Sequence, residues 1–382
     1  MTSLYVTADR HINGESLPSI IKKQNDFINQ KVDSNSSLYK ESYFLNSWLL
    51  AYGAGNEEIV YLRFFDSALL ENSGCFGFLC LKVNRKTFTT EYSNAGFLFG
   101  YPGPAILPGK EFVFFTLLQH WLSTQRHFWF CKIGPTRDAL HKVVSLNGLE
   151  NFSQSFAQTS APYFIMNSSY RPPSENLRQN LRTKSRLLMT KSHEFIYLSS
   201  IADPRFPLLF EMWVEMLKAR WPNGHFARDE SRQKKFYLLL AENLSATGQF
   251  LFTALFIDQE PAAINFGIIQ GARFYSFTPA MNEGFAAFGP SQLLLRDLAS
   301  ELPKRGISIF DFMNDMETYK LQWANDVAPR FEYELYSHFF MRSRFKYRWG
   351  PKFFMRRFFR IKNYRRLLSN PAAAISDFRS RG

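Results

Sequence analysis

A tyrosine and a tryptophan stand four residues apart in the segment ETYKLQW, residues 317–323. The segment is predicted to form a helix, so Tyr319 and Trp323 would share one face and Lys320 would lie beside them. A tyrosine hydroxyl can protonate a departing thiolate or amine, and a lysine can anchor an anionic substrate. The spacing therefore predicts Tyr319 as a general acid next to two substrate-binding residues, Lys320 and Trp323.

Asp311 stands at the end of a predicted buried strand over residues 307–312. A carboxylate in that position has to be paired, hydrogen-bonded or shifted in pKa. One hypothesis makes Asp311 catalytic, because it could accept a proton from an attacking amine or orient the next loop. The structural alternative is that it holds Lys320 or a backbone N–H, and the sequence favours neither.

The segment FGPSQ at residues 288–292 predicts a turn into a leucine-rich helix that ends at Gly306. Gly289 can adopt positive φ, Pro290 suits a first helical position, and Ser291 is a favourable N-cap. The free N–H groups at such a helix start attract phosphate or pyrophosphate. A turn without any ligand is the alternative, and the glycine turn by itself favours that alternative.

The order of these features resembles the acyl-CoA-binding core of GNAT-type acetyltransferases. In sequence they are a strand, the FGPS turn, a helix, Gly306, a strand that ends in Asp311-Phe312, and ETYKLQW. The resemblance is closest to the bacterial branch found with polysaccharide and cellulose biosynthesis genes, a relative of the FemABX peptidyltransferases. It covers roughly residues 160–345. The chain lacks the family's Q/R-x-x-G-x-G/A turn, and only Gly289 and Pro290 take the place of its glycines.

The resemblance implies where acyl-CoA would bind. In GNAT proteins the strand before the phosphate loop splays from its neighbour and pairs with the pantetheine arm, and the loop holds the pyrophosphate. Pro279 interrupts the strand ladder and suits such a strand end. The implied cofactor-binding residues are Phe277, Thr278, Ala280, Phe288, Gly289, Pro290, Ser291 and Gln292.

Two further basic groups are candidates for substrate binding. Arg178 and Arg182 belong to a stripe that recurs every four residues on a helix predicted to be capped by Ser174. The stripe could recognise a phosphate on the cofactor or on a nucleotide- or lipid-linked substrate, or it could be a solvated face. Arg220 ends an apolar helix predicted over residues 206–220 and Trp221 follows it, and the two residues could cover the acceptor pocket.

Strands and helices alternate in both halves of the 382-residue chain. This pattern predicts an α/β (α+β) fold, and the resemblance implies tandem GNAT-like domains, each a mixed central sheet flanked by helices. The predicted units are a degenerate N-terminal GNAT-like domain at 1–158, the acyl-CoA-binding domain at 159–345, and a basic aromatic extension at 346–382. Predicted elements include helices over 37–53, 112–124 and 236–247, and strands over 58–65, 76–83, 127–133, 163–166, 249–257, 262–269 and 273–278. Gly134-Pro135 is predicted to stop the strand over 127–133.

The composition is that of a folded protein, with 41 phenylalanines and nearly half of all residues hydrophobic. Cys75, Cys80 and Cys131 are too few and too scattered for a disulfide framework or a zinc site, so we expect them to pack in the core and expect no metal. No apolar run reaches about eighteen residues, and the N-terminus lacks the pattern of a secretory signal. These features predict a cytoplasmic protein.

The positive charge is concentrated near the C-terminus. Residues 342–366 contain eleven Lys and Arg and no Asp or Glu, so the formal charge of +13 falls to +2 without them (13 − 11 = 2). From Lys352 onward basic and apolar residues would occupy different faces of a helix. Such a helix predicts peripheral binding to an anionic membrane, on the inner face, or docking on its own domain, and we favour both over nucleic acid.

The function that these features predict is an acyl-CoA-dependent N- or O-acyltransferase, with acetyl-CoA the expected donor. Its acceptor would be a sugar or another intermediate of glycan assembly, and transfer would be direct because no nucleophile motif is evident. One alternative is a FemABX-like aminoacyl-tRNA-dependent transferase whose basic tail holds tRNA. The other is a non-catalytic, membrane-associated GNAT-like binding protein.

Overall fold

The computed structural model describes residues 4–12, 42–52, 58–66, 74–87, 89–94, 104–136, 152–166, 170, 172, 174–313 and 316–337. Its strands are β1 (Leu4–Ile12), β2 (Glu58–Asp66), β3 (Cys75–Lys86), β4 (Thr89–Asn94), β5 (Ala105–Ile106), β6 (Phe128–Thr136), β7 (Phe152–Ile165), β8 (His193–Leu198), β9 (Phe250–Ile257), β10 (Glu260–Gln270), β11 (Arg273–Met281), β12 (Ile309–Asp311) and β13 (Asp326–Ser337). Its helices are α1 (Ser42–Tyr52), α2 (Glu111–Thr124), α3 (Glu175–Leu188), α4 (Phe206–Arg220), α5 (His225–Arg228), α6 (Glu230–Ala246), α7 (Pro290–Glu301) and α8 (Thr318–Trp323). Two 3-10 turns, Glu283–Phe288 and Leu302–Arg305, flank α7.

The two mixed sheets of the described strands are continuous, because β7 and β13 pair and join them into one thirteen-stranded sheet. The strand order is β1-β2-β3-β4-β6-β13-β7-β12-β11-β10-β9-β8, with β5 on β3. Neighbours are antiparallel except for the β4–β6 and β11–β12 pairs. Helices cover the sheets, so the predicted mixed α/β fold with two sheets is confirmed. The predicted domain boundary between residues 158 and 159 falls inside β7, whose last residues pair with β12.

Helices pack on both faces of the C-terminal sheet. On one face α4, α6 and α1 surround a core that includes Trp213, Tyr237 and Phe266. On the other face α3 and α7 enclose a leucine-rich core with Phe164 and Phe310. The N-terminal half has a separate core beneath α2. Successive residues of each central strand therefore point into different cores, as the two-residue period of a strand requires.

Helix α1 links the two halves. It comes from the N-terminal part of the chain but packs on α6, where the Phe44 and Phe236 rings meet edge to face with centroids 5.3 Å apart. The side-chain amide of Asn243 also donates to the Ser47 hydroxyl, at 3.3 Å. Among the described residues no helix is long and apolar enough to span a membrane.

Several predicted elements are confirmed. Helix α4 has the predicted bounds, and the Ser174 hydroxyl caps α3 by accepting from the Leu177 N–H. The prediction that Gly134-Pro135 stops a strand was wrong, because β6 continues to Thr136. A register shift against β13 lets these two residues lie opposite one, so the missing proline N–H breaks no regular ladder. Strands β1, β4, β5, β8 and β13 were not predicted, and the basic segment 342–366 lies outside the described residues.

Candidate functional site

Two parallel strands separate at the middle of the C-terminal sheet. Strand β11 pairs with β12 only from Arg273 to Tyr275, and from Ser276 onward its regular partner is β10 alone. A bulge lies just beyond the separation, because Gly267 pairs with Ser276 and Phe266 with Thr278. The bulge bends β11 away from β12 and leaves a gap between the strands.

A cavity of about 500 Å³ occupies this gap. The leucine face of α7 and the rings of Phe310 and Phe312 form its apolar wall, and polar groups are spread around the rest. Its lining residues are Asn180, Lys184, Arg220, Ala263, Ile264, Asn265, Ser276, Pro279, Ala280, Met281, Glu283, Ala286, Gly289, Ser291, Gln292, Leu294, Leu295, Leu298, Phe310, Phe312, Tyr319 and Trp323. Its volume and its mixture of apolar walls with a few polar groups are typical of a small-molecule site.

The N-terminus of α7 forms one border of the cavity. Gly289 has the left-handed conformation, with φ 62° and ψ 49°, and its carbonyl accepts from the N–H groups of Gln292 and Leu293. Gly289 is therefore the N-cap, and the prediction that Ser291 caps the helix was wrong. The glycine conformation takes the place of a side-chain cap and leaves Ser291 in the first turn, on the cavity wall. The positive end of the α7 dipole faces the same space.

Helix α3 contributes Lys184 and Asn180 rather than the predicted arginines. The Lys184 ammonium donates to the Ala287 carbonyl at 2.5 Å, directly before the Gly289 turn. Arg178 instead bonds to Glu175 and to the Pro172 carbonyl, and Arg182 is exposed. Neither arginine lines the cavity.

The correct face of α3 was readable from its leucines. Leu177 and Leu181 are buried four residues apart, which fixes the inward side of the helix. Asn180 lies three residues after Leu177, Lys184 lies three residues after Leu181, and both line the cavity. The prediction instead followed the arginine repeat. Arg178 and Arg182 each come one residue after these leucines and two residues before Asn180 and Lys184.

Tyr319 and Trp323 both line the cavity from α8, one helical turn apart. Burial raises the pKa of the Tyr319 hydroxyl well above its usual range, and the nearby Glu317 carboxylate adds to the shift. Trp323 is only 1% exposed, and its indole Nε1 has no acceptor among the described residues. The structure therefore places these two side chains on one helix face, as predicted.

Asp311 and Lys320 lie outside the cavity lining. Phe310 and Phe312 line the cavity, so the strand alternation turns Asp311 to the opposite face. There its buried carboxylate accepts from the Arg273 guanidinium at 2.8 Å and from the Met313 N–H at 2.7 Å. The Lys320 ammonium, 7% exposed as a residue, pairs with Glu317 at 3.2 Å. Asp311 thus accepts from a backbone N–H, as the structural alternative predicted, but its charged partner is Arg273 and not Lys320.

The other predicted residues divide into two groups. Ala280, Gly289, Ser291, Gln292 and Arg220 line the cavity, whereas Phe277, Thr278, Phe288, Pro290 and Trp221 do not. The Thr278 hydroxyl bonds to Tyr237, and its carbonyl accepts from Trp213. Phe277 packs in the same core. The bulge in β11 explains why Phe277 and Thr278 turn away from the cavity, since it reorients the residues on either side of it.

Sequence reasoning missed two polar residues on the cavity floor. The Ser276 hydroxyl donates to the Asn265 side-chain oxygen at 3.2 Å, and both residues line the cavity. Asn265 is 3% exposed in the middle of an apolar strand. A polar side chain inside a run such as AAINFGII was the available signal, because a buried amide has to find hydrogen-bond partners.

No cysteine contributes to the cavity lining. Cys75, Cys80 and Cys131 are buried and free, as the prediction of core packing required. Burial raises the pKa of Cys75 to about 11 and that of Cys80 to about 12. Both thiols are therefore protonated and unreactive near neutral pH. Within the described ranges no group of three or more metal-ligating side chains occurs.

Residues 175–321 match the family model described as Acetyltransferase (GNAT) domain. The matched segment runs from α3 into α8 and contains every cavity-lining residue except Trp323. The part of the chain that carries the cavity is therefore similar to a GNAT acetyltransferase domain. The polysaccharide branch of the family is a finer assignment and stays a prediction.

Two solved structures share the fold across most of this chain. One is a conserved protein of unknown function from Bacteroides thetaiotaomicron VPI-5482, with TM-score 0.54 and 11% identity over 84% of this chain and 97% of that one. The other is FemX, with TM-score 0.52 and 11% identity over 85% of this chain and 96% of that one. At this identity the similarity concerns the fold alone. No curated protein matches the sequence.

Proposed function

We propose that the protein is an acyltransferase that moves an acyl group from acyl-CoA, with acetyl-CoA the expected donor, directly to an amine or hydroxyl of a glycan-assembly intermediate. One observation carries the proposal. The cavity lies where β11 leaves β12, with the N-terminus of α7 at its border and Tyr319 and Trp323 on its wall. An anion-binding end and a proton-donating group thus share one space.

The residues present fit such a donor. Lys184 and the first turn of α7, with Ser291 and Gln292, supply positive charge and N–H groups for phosphates. The leucine face of α7 supplies an apolar surface for an uncharged arm. An acyl thioester supplies the electrophilic carbonyl carbon when it is bound. The cavity volume of about 500 Å³ falls within the ordinary range of ligand pockets.

Tyr319 is assigned the general acid. Its raised pKa keeps the hydroxyl protonated at neutral pH, so a proton is available for the sulfur as the C–S bond breaks. The acceptor's own proton passes to water, and solvent returns a proton to Tyr319. Arg220 lines the same cavity and orients the acceptor, while its guanidinium stacks 4.4 Å from the exposed Trp221 ring.

Acyl-CoA binding is tested by thermal unfolding with acetyl-CoA. Ligand at 100 times its Kd stabilises a protein by about 2.7 kcal/mol, so a clear rise in Tm is expected. Gly289→Leu should remove the rise, since a side chain there meets Lys184 and Gln292 at the cavity border. Gly306→Leu is the matched control. Gly306 has a similar positive φ of 77° with open space around it and is outside the lining, so the rise should persist.

The alternative donor, aminoacyl-tRNA, is separated by the same assay. Absence of any response to acetyl-CoA or longer acyl-CoAs, together with tight binding of charged tRNA, would overturn the acyl-CoA assignment. Uncharged tRNA serves as the control for charge alone. Tight tRNA binding that weakens steeply with salt and ignores the aminoacyl group would indicate only attraction to the basic segment.

The basic segment at residues 342–366 is assigned to an anionic membrane surface, which would hold the enzyme beside a lipid-linked acceptor. Each basic residue near such a surface contributes about 1 kcal/mol. Arg356→Gln, Arg357→Gln and Arg360→Gln together should weaken co-sedimentation with anionic vesicles about 100-fold. The same three changes at Arg178, Arg182 and Arg186 of α3 are the control. Equal binding of both triple variants would contradict this assignment.

A further inference from the structure

Trp323 carries a buried hydrogen-bond donor for which the described residues supply no acceptor. The indole N–H can only donate, and burying such a group unpaired is unfavourable. Trp213 is equally buried, yet its Nε1 donates to the Thr278 carbonyl at 3.0 Å. The difference is that Trp323 lines the cavity and Trp213 does not.

The ring of Trp323 is held in place from two sides. It stacks on Phe164 with centroids 6.2 Å apart, inside an aromatic group that includes Phe310 and Phe312. Its backbone carbonyl accepts from the Tyr170 hydroxyl at 2.6 Å. An indole fixed in this way holds its buried N–H at one position, as a preorganised donor requires.

The edge of β11 that faces the gap is a poor source of hydrogen-bond donors. The Asn282 N–H donates to the Ala262 carbonyl, and the register continues unbroken back to Thr278. By the alternation of an antiparallel pair, Thr278 and Ala280 direct their main-chain groups to β10, and Pro279 and Met281 direct theirs to the gap. Pro279 has no N–H to donate. The strand therefore presents only a carbonyl at that point of the cavity.

We propose that the Trp323 indole N–H donates a hydrogen bond to the carbonyl oxygen of the acyl group that is transferred. The inference rests on the proposed function and adds the residue that distinguishes an acylated donor from one without a carbonyl. The aromatic and leucine walls beside Trp323 accept the rest of a short apolar acyl chain. Trp323 is thus a specificity-determining residue for the donor.

The test compares acetyl-CoA with S-ethyl-CoA, which has the same size and lacks only the carbonyl oxygen. By calorimetry the wild-type protein should bind acetyl-CoA about three- to tenfold more tightly, the range of one neutral hydrogen bond. Trp323→Phe should abolish this preference by weakening acetyl-CoA alone. Trp213→Phe is the matched control and should keep the preference, although it removes the indole donor from the Thr278 carbonyl and lowers Tm.

A second replacement guards against loss of packing in the phenylalanine variant. Benzothienylalanine at position 323 has the shape of tryptophan with sulfur in place of the N–H, and it should abolish the preference while apo Tm holds or rises. A preference that survives this replacement would overturn the inference. So would equal wild-type affinity for the two nucleotides, which leaves the proposed function intact. Failure of the wild-type protein to bind either nucleotide would instead remove the proposed function and this inference with it.

Discussion

Arg273 and Asp311 form an ion pair, 2.8 Å between the guanidinium Nη1 and the carboxylate, on the face of the sheet that turns away from the cavity. The two residues belong to β11 and β12, the strands that pair over three residues before they separate. The Arg273 guanidinium also lies 5.4 Å from the centre of the Tyr163 ring on β7. The pair therefore ties three strands together at the point from which the cavity opens.

Asp311→Asn should destabilise the protein without changing its response to acetyl-CoA. The substitution leaves Arg273 with a neutral partner, and breaking a buried pair costs up to about 3–5 kcal/mol, less here because Arg273 is partly exposed. We expect a loss of roughly 1–3 kcal/mol in urea unfolding. A variant of normal stability that has lost acyl transfer would instead assign Asp311 to the chemistry.

Gly267→Ala should destabilise the protein because β10 has no room for a side chain at the bulge. A Cβ at Gly267 would lie 2.2 Å from the Phe274 ring and 2.8 Å from the Leu251 carbonyl oxygen. Overpacking of this kind costs about 1–3 kcal/mol. Gly77→Ala is a matched strand control, since its Cβ would meet nothing closer than 3.2 Å. Equal Tm values for the two variants would show that Phe274 gives way without cost.

The placement of Tyr319 and Trp323 could be predicted from the sequence because it depends only on local spacing within α8. Tyr319 and Trp323 share a face in any regular helix, and both reach the cavity. The side of β12 to which Asp311 points could not be predicted. Both alternating sets of residues in 307–312 are mainly apolar, so the sequence does not show which set faces which core. The roles of Phe277 and Thr278 depended on a bulge whose register is set by β10, a partner strand that local patterns do not specify.

Asp297 on α7 should make the protein less stable above about pH 6. Its Oδ2 is buried with no partner among the described residues, and burial raises the pKa of the carboxyl from 3.8 to about 6, with Glu301 adding to the shift. Below pH 4 the group is protonated in both folded and unfolded states. Between about pH 4 and pH 6 the unfolded state loses this proton while the folded state keeps it, so stability falls over this interval. Above pH 6 the folded state holds a buried charge that the unfolded state solvates freely, and the loss persists.

Asp297→Asn should therefore stabilise the protein at pH 7.5 and have little effect at pH 4. A shift of this size corresponds to at most about 3 kcal/mol, and partial exposure reduces the expected gain to roughly 1–2 kcal/mol. Asp203→Asn is a control of opposite sign, because Arg205 lowers the pKa of Asp203 to about 2. Urea unfolding at the two pH values measures both. A gain for Asp297→Asn that is the same at pH 4 would contradict the role of the charge.

Tyr319→Phe should lower kcat for acyl transfer about 100-fold and leave the Kd for acetyl-CoA nearly unchanged. The hydroxyl is the group that protonates the sulfur, whereas the ring that packs edge-on against Phe312 is retained. Because burial and Glu317 raise the pKa of Tyr319 well above its usual range, the hydroxyl should keep its proton to about pH 10, and this group should cause no loss of wild-type rate below that pH. Tyr237→Phe, which removes a hydroxyl from the core on the opposite face, should lower Tm and spare kcat. Wild-type kcat in the Tyr319 variant would leave the departing sulfur to be protonated by water.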